Sequence, residues 1–280
     1  MRPWADPVLF ELGPVAVHWY GLILAASMLA ATGTLSWLLR RQGCAEPWPE
    51  AAALAGTVLP AGFLGARLAF VCQNLATFLA EPARILAIWD GGLSIHGALA
   101  GGLLALAWRE RSARGFLARA DQLLTVLPLA QAVGRWGNFI NRELLGYPTR
   151  LPWAVVVEPA YRPAAYAGSA TFHPVFLYES AACLALFGLL WQRAARPRAT
   201  AGPGRLRPRT LPPGSQAAAY LMGYGLIRFA VEFVRIGEPF LAGLTLAQWV
   251  SLLMVAGGWG VTRWAGAVRG TTPERSGPRA

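Results

Sequence analysis

The sequence contains no lysine; all 25 of its basic residues are arginine. Charged residues make up 14% of the 280-residue chain, against about 25% in an ordinary soluble protein. Cysteine and histidine are also scarce, with three of each. Cys44, Cys72 and Cys183 form no CxxC pair, which excludes a disulfide scaffold, a dithiol redox motif and a cysteine zinc site. His18, His96 and His173 are too widely spaced to suggest a metal cluster, so no metal ligands are expected. What remains is apolar: 55% of the residues are hydrophobic. That excludes a disordered chain. The hydrophobic residues gather into runs long enough to cross a bilayer, and the expected class is an all-α polytopic membrane protein.

A net charge of +11 would suit a nucleic-acid partner, but the placement of the arginines argues for topology. Sixteen of them follow every second apolar run: Tyr20–Leu39, Gly92–Trp108, Val175–Trp191 and Leu244–Val261. The remaining runs lie near Ala51–Cys72, Asp121–Ile140 and Ala217–Val234. The positive-inside rule then gives about seven helices, with the N-terminus outside and the C-terminus in the cytoplasm. Anionic-lipid or nucleic-acid binding is the lesser reading of the same clusters. Met1–Pro14 has no basic stretch before an apolar core, so no cleavable signal peptide is expected. Trp4, Trp19, Trp89, Trp136 and Trp153 fall near outer boundaries, as an interfacial aromatic belt would. The chain reads as a single domain over residues 1–280. Residues 141–174 form a small outer head, with a possible strand at Trp153–Glu158. Residues 194–215, rich in Arg, Pro and Gly, form a flexible cytoplasmic loop.

The functional signal lies in charges placed where they are costly. Arg67, Arg135 and Arg228 interrupt apolar runs. An arginine at the centre of a bilayer costs about 2.5–3.5 kcal/mol and normally faces a bundle interior. Counting about 1.5 Å per residue from the cytoplasmic ends places these three, with Tyr20 and His96, in the outer half of the membrane. Arg135, Asn138, Asn141 and Arg142 step by three or four and would line one helix face. Tyr224, Arg228, Glu232 and Arg235 do the same, with Glu232 between two arginines. That ladder also has a purely structural reading, as a lock between two helices. Against Arg67, Arg135, Arg142, Arg228 and Arg235 stand only Glu143, Glu179 and Glu232. The excess of cations calls for an anion. A phosphate matches the guanidinium fork, and at this depth it points to a phospholipid headgroup. His96 reads either as a satisfied structural residue or as a group that exchanges a proton near neutral pH.

These segments resemble the prolipoprotein diacylglyceryl transferase family of bacterial inner-membrane enzymes. Gly134–Glu143 meets the family signature GRxGNFxNxE in full, and Gly146 matches a further signature glycine. His18 to Leu22, Gly65-Ala66-Arg67, His96-Gly97, Tyr178-Glu179 and Tyr224 to Arg235 follow the family pattern in order and spacing. The likeness covers roughly residues 8 to 260. Two positions depart from it: Ala98 stands where the family has a glycine, and Phe176 where it has a glutamine.

The resemblance implies that the diacylglyceryl unit of phosphatidylglycerol passes to the lipobox cysteine thiol of a preprolipoprotein. A thioether forms and glycerol 1-phosphate leaves. No cofactor is called for. The expected partners are phosphatidylglycerol, membrane lipid and the preprolipoprotein signal peptide, and the site faces the outer leaflet of the inner membrane. The catalytic candidates are His96, Arg135, Arg228 and Tyr20. The substrate-binding candidates are Arg135, Asn138, Gly146, Arg67, Tyr224, Glu232 and Arg235. Gly146 is expected to allow a tight turn in the outer head. His96 is left open between base and orienting donor. Two other classes stay in view. An intramembrane serine protease is disfavoured, because Ser94 lies in no GxSxG turn and two residues from His96. An anion or lipid transporter would also use an arginine-lined cavity, but no polar trail crosses the lower half of the runs.

Overall fold

A computed structural model describes residues 1, 6–13, 15–88, 91–195, 197–199, 206–208 and 211–270. The described chain is mostly helical. It runs through α1 (Trp19–Arg41), α2 (Pro47–Gln73), the short α3 (Leu75–Ala80), α4 (Ile95–Glu110), α5 (Ala113–Ile140), α6 (Val175–Ala195), α7 (Ser215–Glu232) and α8 (Leu246–Gly270). All seven apolar runs are helices, and α1, α2 and α6 are long and apolar enough to cross a membrane. Arg2, Arg196, Arg205, Arg209, Arg275 and Arg279 of the charge pattern, and Trp4 and Trp89 of the belt, lie outside the described residues.

Local chemistry marks the helix ends. Pro47 opens α2, where a missing N–H is harmless. Ser112 caps α5 by accepting the Gly115 N–H at 3.1 Å. Thr245 and Gln248 form a reciprocal box before α8. The Thr245 N–H donates to Gln248 Oε1 at 2.9 Å, and the Gln248 N–H donates to Thr245 Oγ1 at 3.3 Å. The start of α7 is capped from another helix: Asp121 of α5 accepts the N–H groups of Gly214 (2.9 Å), Gln216 (3.0 Å) and Ala217 (2.8 Å).

Helices α2 and α4 touch at backbone level. A Cβ on Gly65 would strike the Gly97 carbonyl and stand 3.0 Å from Gly101 Cα. Small residues permit such approach, and membrane helices use it. Helix α5 packs on α1, α6 and α7, and α7 packs on α8. At the end that carries Asp121, Gln122 binds Gln42 at 2.9 Å, and Arg119 pairs with Glu50 at 2.8 Å.

The opposite end holds the irregular structure. Strands β1 (Val8–Leu12) and β2 (Val15–His18) form an antiparallel ribbon ahead of α1 that the sequence reading did not anticipate. Within residues 141–174, β3 (Val155–Val156) pairs with β4 (Thr171–Phe172), inside the stretch expected to contain a strand. Phe139, Ile140, Val155, Val157, Phe172 and Phe176 make one buried cluster beneath it. Strands β5 (Pro197–Ala199) and β6 (Leu206–Pro208) pair within the stretch expected to be a flexible loop, most of whose other residues lie outside the described ones.

Candidate functional site

Arg135 and Asn138 lie in the last turns of α5, where Gly134 has open space beside it and Gly137 is covered by a neighbouring helix. The Arg135 guanidinium is paired with the Glu179 carboxylate of α6. It also donates to Asn138 Oδ1 at 3.3 Å and to the Tyr224 hydroxyl of α7 at 3.4 Å. The Tyr224 hydroxyl donates to Glu179 at 2.9 Å. Glu179 is 2% exposed, so its charge rests on these two donors. Asn138 reaches on to Glu143 at 3.4 Å. The Tyr20 ring of α1 lies over Gly137, where a Cβ would stand 2.6 Å from Tyr20 Cδ2. Three helices thus bring Arg135, Asn138, Glu179 and Tyr224 into one network, and Tyr20 of a fourth packs beside it on Gly137.

A second cluster closes α7. Glu232 is buried and pairs with Arg228 one turn before it and with Arg235 at 3.5 Å. Its other oxygen accepts the Thr245 hydroxyl at 3.0 Å. Arg228 is in ion-pair contact with Glu232, yet its buried Nη1 makes no hydrogen bond of good geometry among the described residues. Two guanidiniums share one carboxylate, so the trio carries one positive charge in excess. Sequence reasoning missed Thr245, although Thr245 and Gln248 at a three-residue spacing ahead of an apolar run are a readable helix start.

Gly146 joins the two clusters' surroundings. Its N–H donates to the His173 carbonyl at 3.2 Å, and it forms a β-bridge with Arg235. A Cβ there would stand 2.5 Å from His173 Cβ and 2.7 Å from the Val234 carbonyl oxygen. This glycine therefore serves a close backbone approach and not the tight turn expected. The left-handed residues nearby are Arg142 (φ 58°) and Leu144 (φ 54°). Arg142 closes the end of α5, with the Glu143 N–H donating to the Asn138 carbonyl at 2.9 Å, so it leaves the face of Arg135 and Asn138. It binds Glu158 at 3.3 Å and lies 4.3 Å over the Tyr161 ring.

Arg67 is used differently. All five of its N–H groups donate to backbone carbonyls: Nε to Ile85 (2.9 Å), Nη1 to Gly91 (2.8 Å) and Gly92 (3.0 Å), and Nη2 to Arg84 and Ala87 (3.2 Å). None is left for a ligand. His96 lies exposed in the first turn of α4 and makes no hydrogen bond to the arginine network among the described residues. Phe176, the departure in α6, stacks on Phe139 at 4.5 Å and meets Trp136 edge-on at 5.4 Å.

Residues 7–264 match the family model described as prolipoprotein diacylglyceryl transferase. Among individual proteins, the chain is similar to the phosphatidylglycerol–prolipoprotein diacylglyceryl transferase of Synechococcus elongatus. The two are 38% identical over 90% of this chain and 84% of that one. The enzyme of the same name from Synechocystis sp. is 34% identical over 96% of this chain and 93% of its own. That from Bordetella parapertussis is 36% identical over 92% and 95%.

Proposed function

The chain belongs to the prolipoprotein diacylglyceryl transferase family, and we propose that it carries out diacylglyceryl transfer from phosphatidylglycerol to the lipobox cysteine of preprolipoproteins in lipoprotein maturation. The cysteine sulfur attacks the glyceryl carbon that bears the phosphate ester. The carbon–sulfur bond forms as the carbon–oxygen bond breaks, and glycerol 1-phosphate departs with the electron pair. The thiol proton goes to a base. The reaction takes place at the outer leaflet of the bacterial inner membrane. Seven helices span the bilayer with the N-terminus outside, and residues 141–174 form the outer head.

The observation that carries this reading is the charge balance at the end of α7, where Arg228 and Arg235 share the single carboxylate of Glu232. The phosphodiester of a phospholipid bears one negative charge and neutralises that excess. As the carbon–oxygen bond breaks, negative charge grows on the phosphate. Cations placed beforehand at that point lower the barrier, often as the largest single effect. Arg135 supplies a second guanidinium, held in aim by Glu179 and Tyr224. Asn138 and Tyr20 face the headgroup and glyceryl oxygens. Glu232 holds Arg228, and Gly146 keeps Arg235 beside the segment that follows α5. His96 acts as base or orienting donor. Arg67 holds the segment before α4 and does not grip substrate.

The test is direct. Purified protein is mixed with phosphatidylglycerol and a lipobox peptide carrying one cysteine. The expected result is a mass gain on the thiol equal to one diacylglyceryl unit, with glycerol 1-phosphate released. Unmodified peptide from folded protein overturns the reading. Arg228→Ala is expected to abolish transfer; full activity in that variant removes the phosphate from α7.

A further inference from the structure

Transfer takes a proton from the substrate thiol, and the carboxylates bound to arginines are already engaged. Glu179 is buried and bound by Arg135 and Tyr224. Glu232 is shared by Arg228 and Arg235, and Glu158 is paired with Arg142. These are three of the four carboxylates that α6, α7 and residues 141–174 bring to this end. The fourth, Glu143, is exposed and pairs with no cation among the described residues. Two neutral amides hold it instead. Asn141 Nδ2 donates to Oε1 at 2.8 Å, and Asn138 Nδ2 donates to Oε2 at 3.4 Å. The Glu143 N–H donates to the Asn138 carbonyl, which pins the residue to the end of α5. A carboxylate has about four lone-pair sites, so each oxygen keeps one open.

Asn138 also ties this carboxylate to the site. Its Oδ1 accepts from Arg135 at 3.3 Å while its Nδ2 donates to Glu143. One amide therefore spaces a guanidinium from a carboxylate, and that spacing suits the displacement. The sulfur enters opposite the departing oxygen. The base that serves it stands on the far side of the carbon from the cations that serve the phosphate. Glu179 and Glu232, in contact with guanidiniums, stand on the phosphate side.

We propose that Glu143 is the catalytic base that takes the thiol proton. This rests on the transfer reaction proposed above, and it leaves His96 the orienting role. A free thiol, with pKa about 8.5, does not surrender its proton to a carboxylate unaided. As the carbon–sulfur bond forms, the sulfur becomes cationic and its proton strongly acidic, so the transfer runs downhill while the bond is made. The S–H proton moves to a Glu143 oxygen, and a sulfur electron pair forms the carbon–sulfur bond. The carbon–oxygen pair leaves with the phosphate. The proton then passes to the departing glycerol 1-phosphate, which restores the carboxylate. Among the described residues, the charged and titratable groups around Glu143 are Arg135, reached through Asn138, and Arg142 and His173, which line the same narrow cleft. Arg142 is held by Glu158, and the His173 ring is bonded to the Tyr178 hydroxyl at 3.1 Å.

Full-length protein in detergent is assayed with phosphatidylglycerol and the one-cysteine lipobox peptide at two pH values. A base is needed only while the thiol keeps its proton. Glu143→Gln, which keeps the size of the side chain, is expected to lower kcat about 100-fold at about pH 7, with KM for phosphatidylglycerol unchanged. The thiolate fraction of the peptide rises about 30-fold between about pH 7 and about pH 9.5, so the deficit should shrink to about threefold. Glu143→Asp keeps the carboxylate but withdraws it by one methylene. It is expected to fall between the two at about pH 7 and to converge likewise. Should Glu143→Gln melt below the assay temperature, Glu143→Asp carries the same comparison. A deficit equal at both pH values overturns the proposal, because a structural or headgroup-positioning role does not depend on the ionisation of the peptide thiol. A raised KM for phosphatidylglycerol with unchanged kcat overturns it too, as does the wild-type rate in Glu143→Gln. Wild-type transfer with any of these results removes the base alone. Unmodified peptide from folded wild type removes the reaction and the base with it.

Discussion

Arg67→Lys separates a structural from a substrate-binding role for a buried arginine. Five carbonyls, from Arg84, Ile85, Ala87, Gly91 and Gly92, converge on the Arg67 guanidinium, which is 8% exposed. Phe70 and Phe78 flank it, with ring centres 5.9 and 5.3 Å from its central carbon. Lysine keeps the charge but has three N–H groups on one nitrogen, so at least two carbonyls lose their donor. A hydrogen bond from a charged donor is worth about 1.5–3 kcal/mol. Two of them come to about 3 kcal/mol at the lower bound, which raises the local opening equilibrium about 150-fold. Hydrogen exchange read by mass spectrometry should therefore quicken about 100-fold in peptides covering residues 84–94. Peptides from α5 and α7 should stay unchanged. The Ser94 N–H is a good reporter, since it donates to the Ala66 carbonyl at 3.0 Å beside the same site. Unchanged exchange in 84–94, accompanied by a raised KM for phosphatidylglycerol, would refute the staple and return Arg67 to the headgroup.

Three further outcomes follow from the contacts. Glu179→Gln strips Arg135 of its carboxylate and should lower the initial transfer rate about 100-fold, while Tyr224→Phe, which removes one donor from Glu179, should lower it about tenfold; equal rates would mean that Arg135 is aimed by other groups. Thr245→Val breaks the capping box and the bond to Glu232, and should lower stability by about 1 kcal/mol, or about 2–4 °C in melting temperature, with Thr245→Ser restoring it. Gly146→Ala should be more damaging than Gly137→Ala, about 2–3 against about 1 kcal/mol in thermal unfolding, because the added methyl meets a backbone carbonyl in the first case and the edge of a movable tyrosine ring in the second.

The helices were legible because hydrophobic runs, prolines and basic ends are local features. The N-terminal ribbon was not. Val8–Leu12 and Val15–His18 are short, and apolar residues flank their turn, so they blend into the approach to α1. The arginines stood out by residue type alone, but their partners did not. Arg135 and Arg228 find carboxylates that an inventory of acids names. Arg67 finds only peptide carbonyls, which every residue carries, so nothing in the sequence separates it from a ligand-binding arginine. Arg142 was placed on the face of Arg135 by spacing. That holds only while the helix continues, and α5 stops at Ile140, with Arg142 itself as the left-handed residue that closes it. At Phe176 the sequence showed a lost amide. The stack on Phe139 that replaces it depends on contacts between α5 and α6 that spacing does not encode.

Arginines near one end of the bundle are compensated in three ways, and the differences decide what each can do in a reaction. Arg67 is surrounded by carbonyl dipoles with every donor engaged, so an arriving anion would have to displace existing bonds. Arg135 is matched by one carboxylate; it contributes direction, and its pairing limits how strongly it binds a resting substrate. Arg228 and Arg235 divide one carboxylate and keep donors in reserve. A site built only from the last kind would bind the resting phosphodiester tightly, and the share of that binding that is equal in the transition state would not speed the chemical step. A site built only from the first would not bind it. The combination has moderate attraction for one negative charge and rising attraction as a second develops, with orientation fixed beforehand by Glu179 and Tyr224. Removing a carboxylate is therefore damaging too, in a different way from removing an arginine: Glu232→Gln leaves Arg228 and Arg235 to hold the phosphodiester too well, and should lower KM and kcat together, as steady-state kinetics would show.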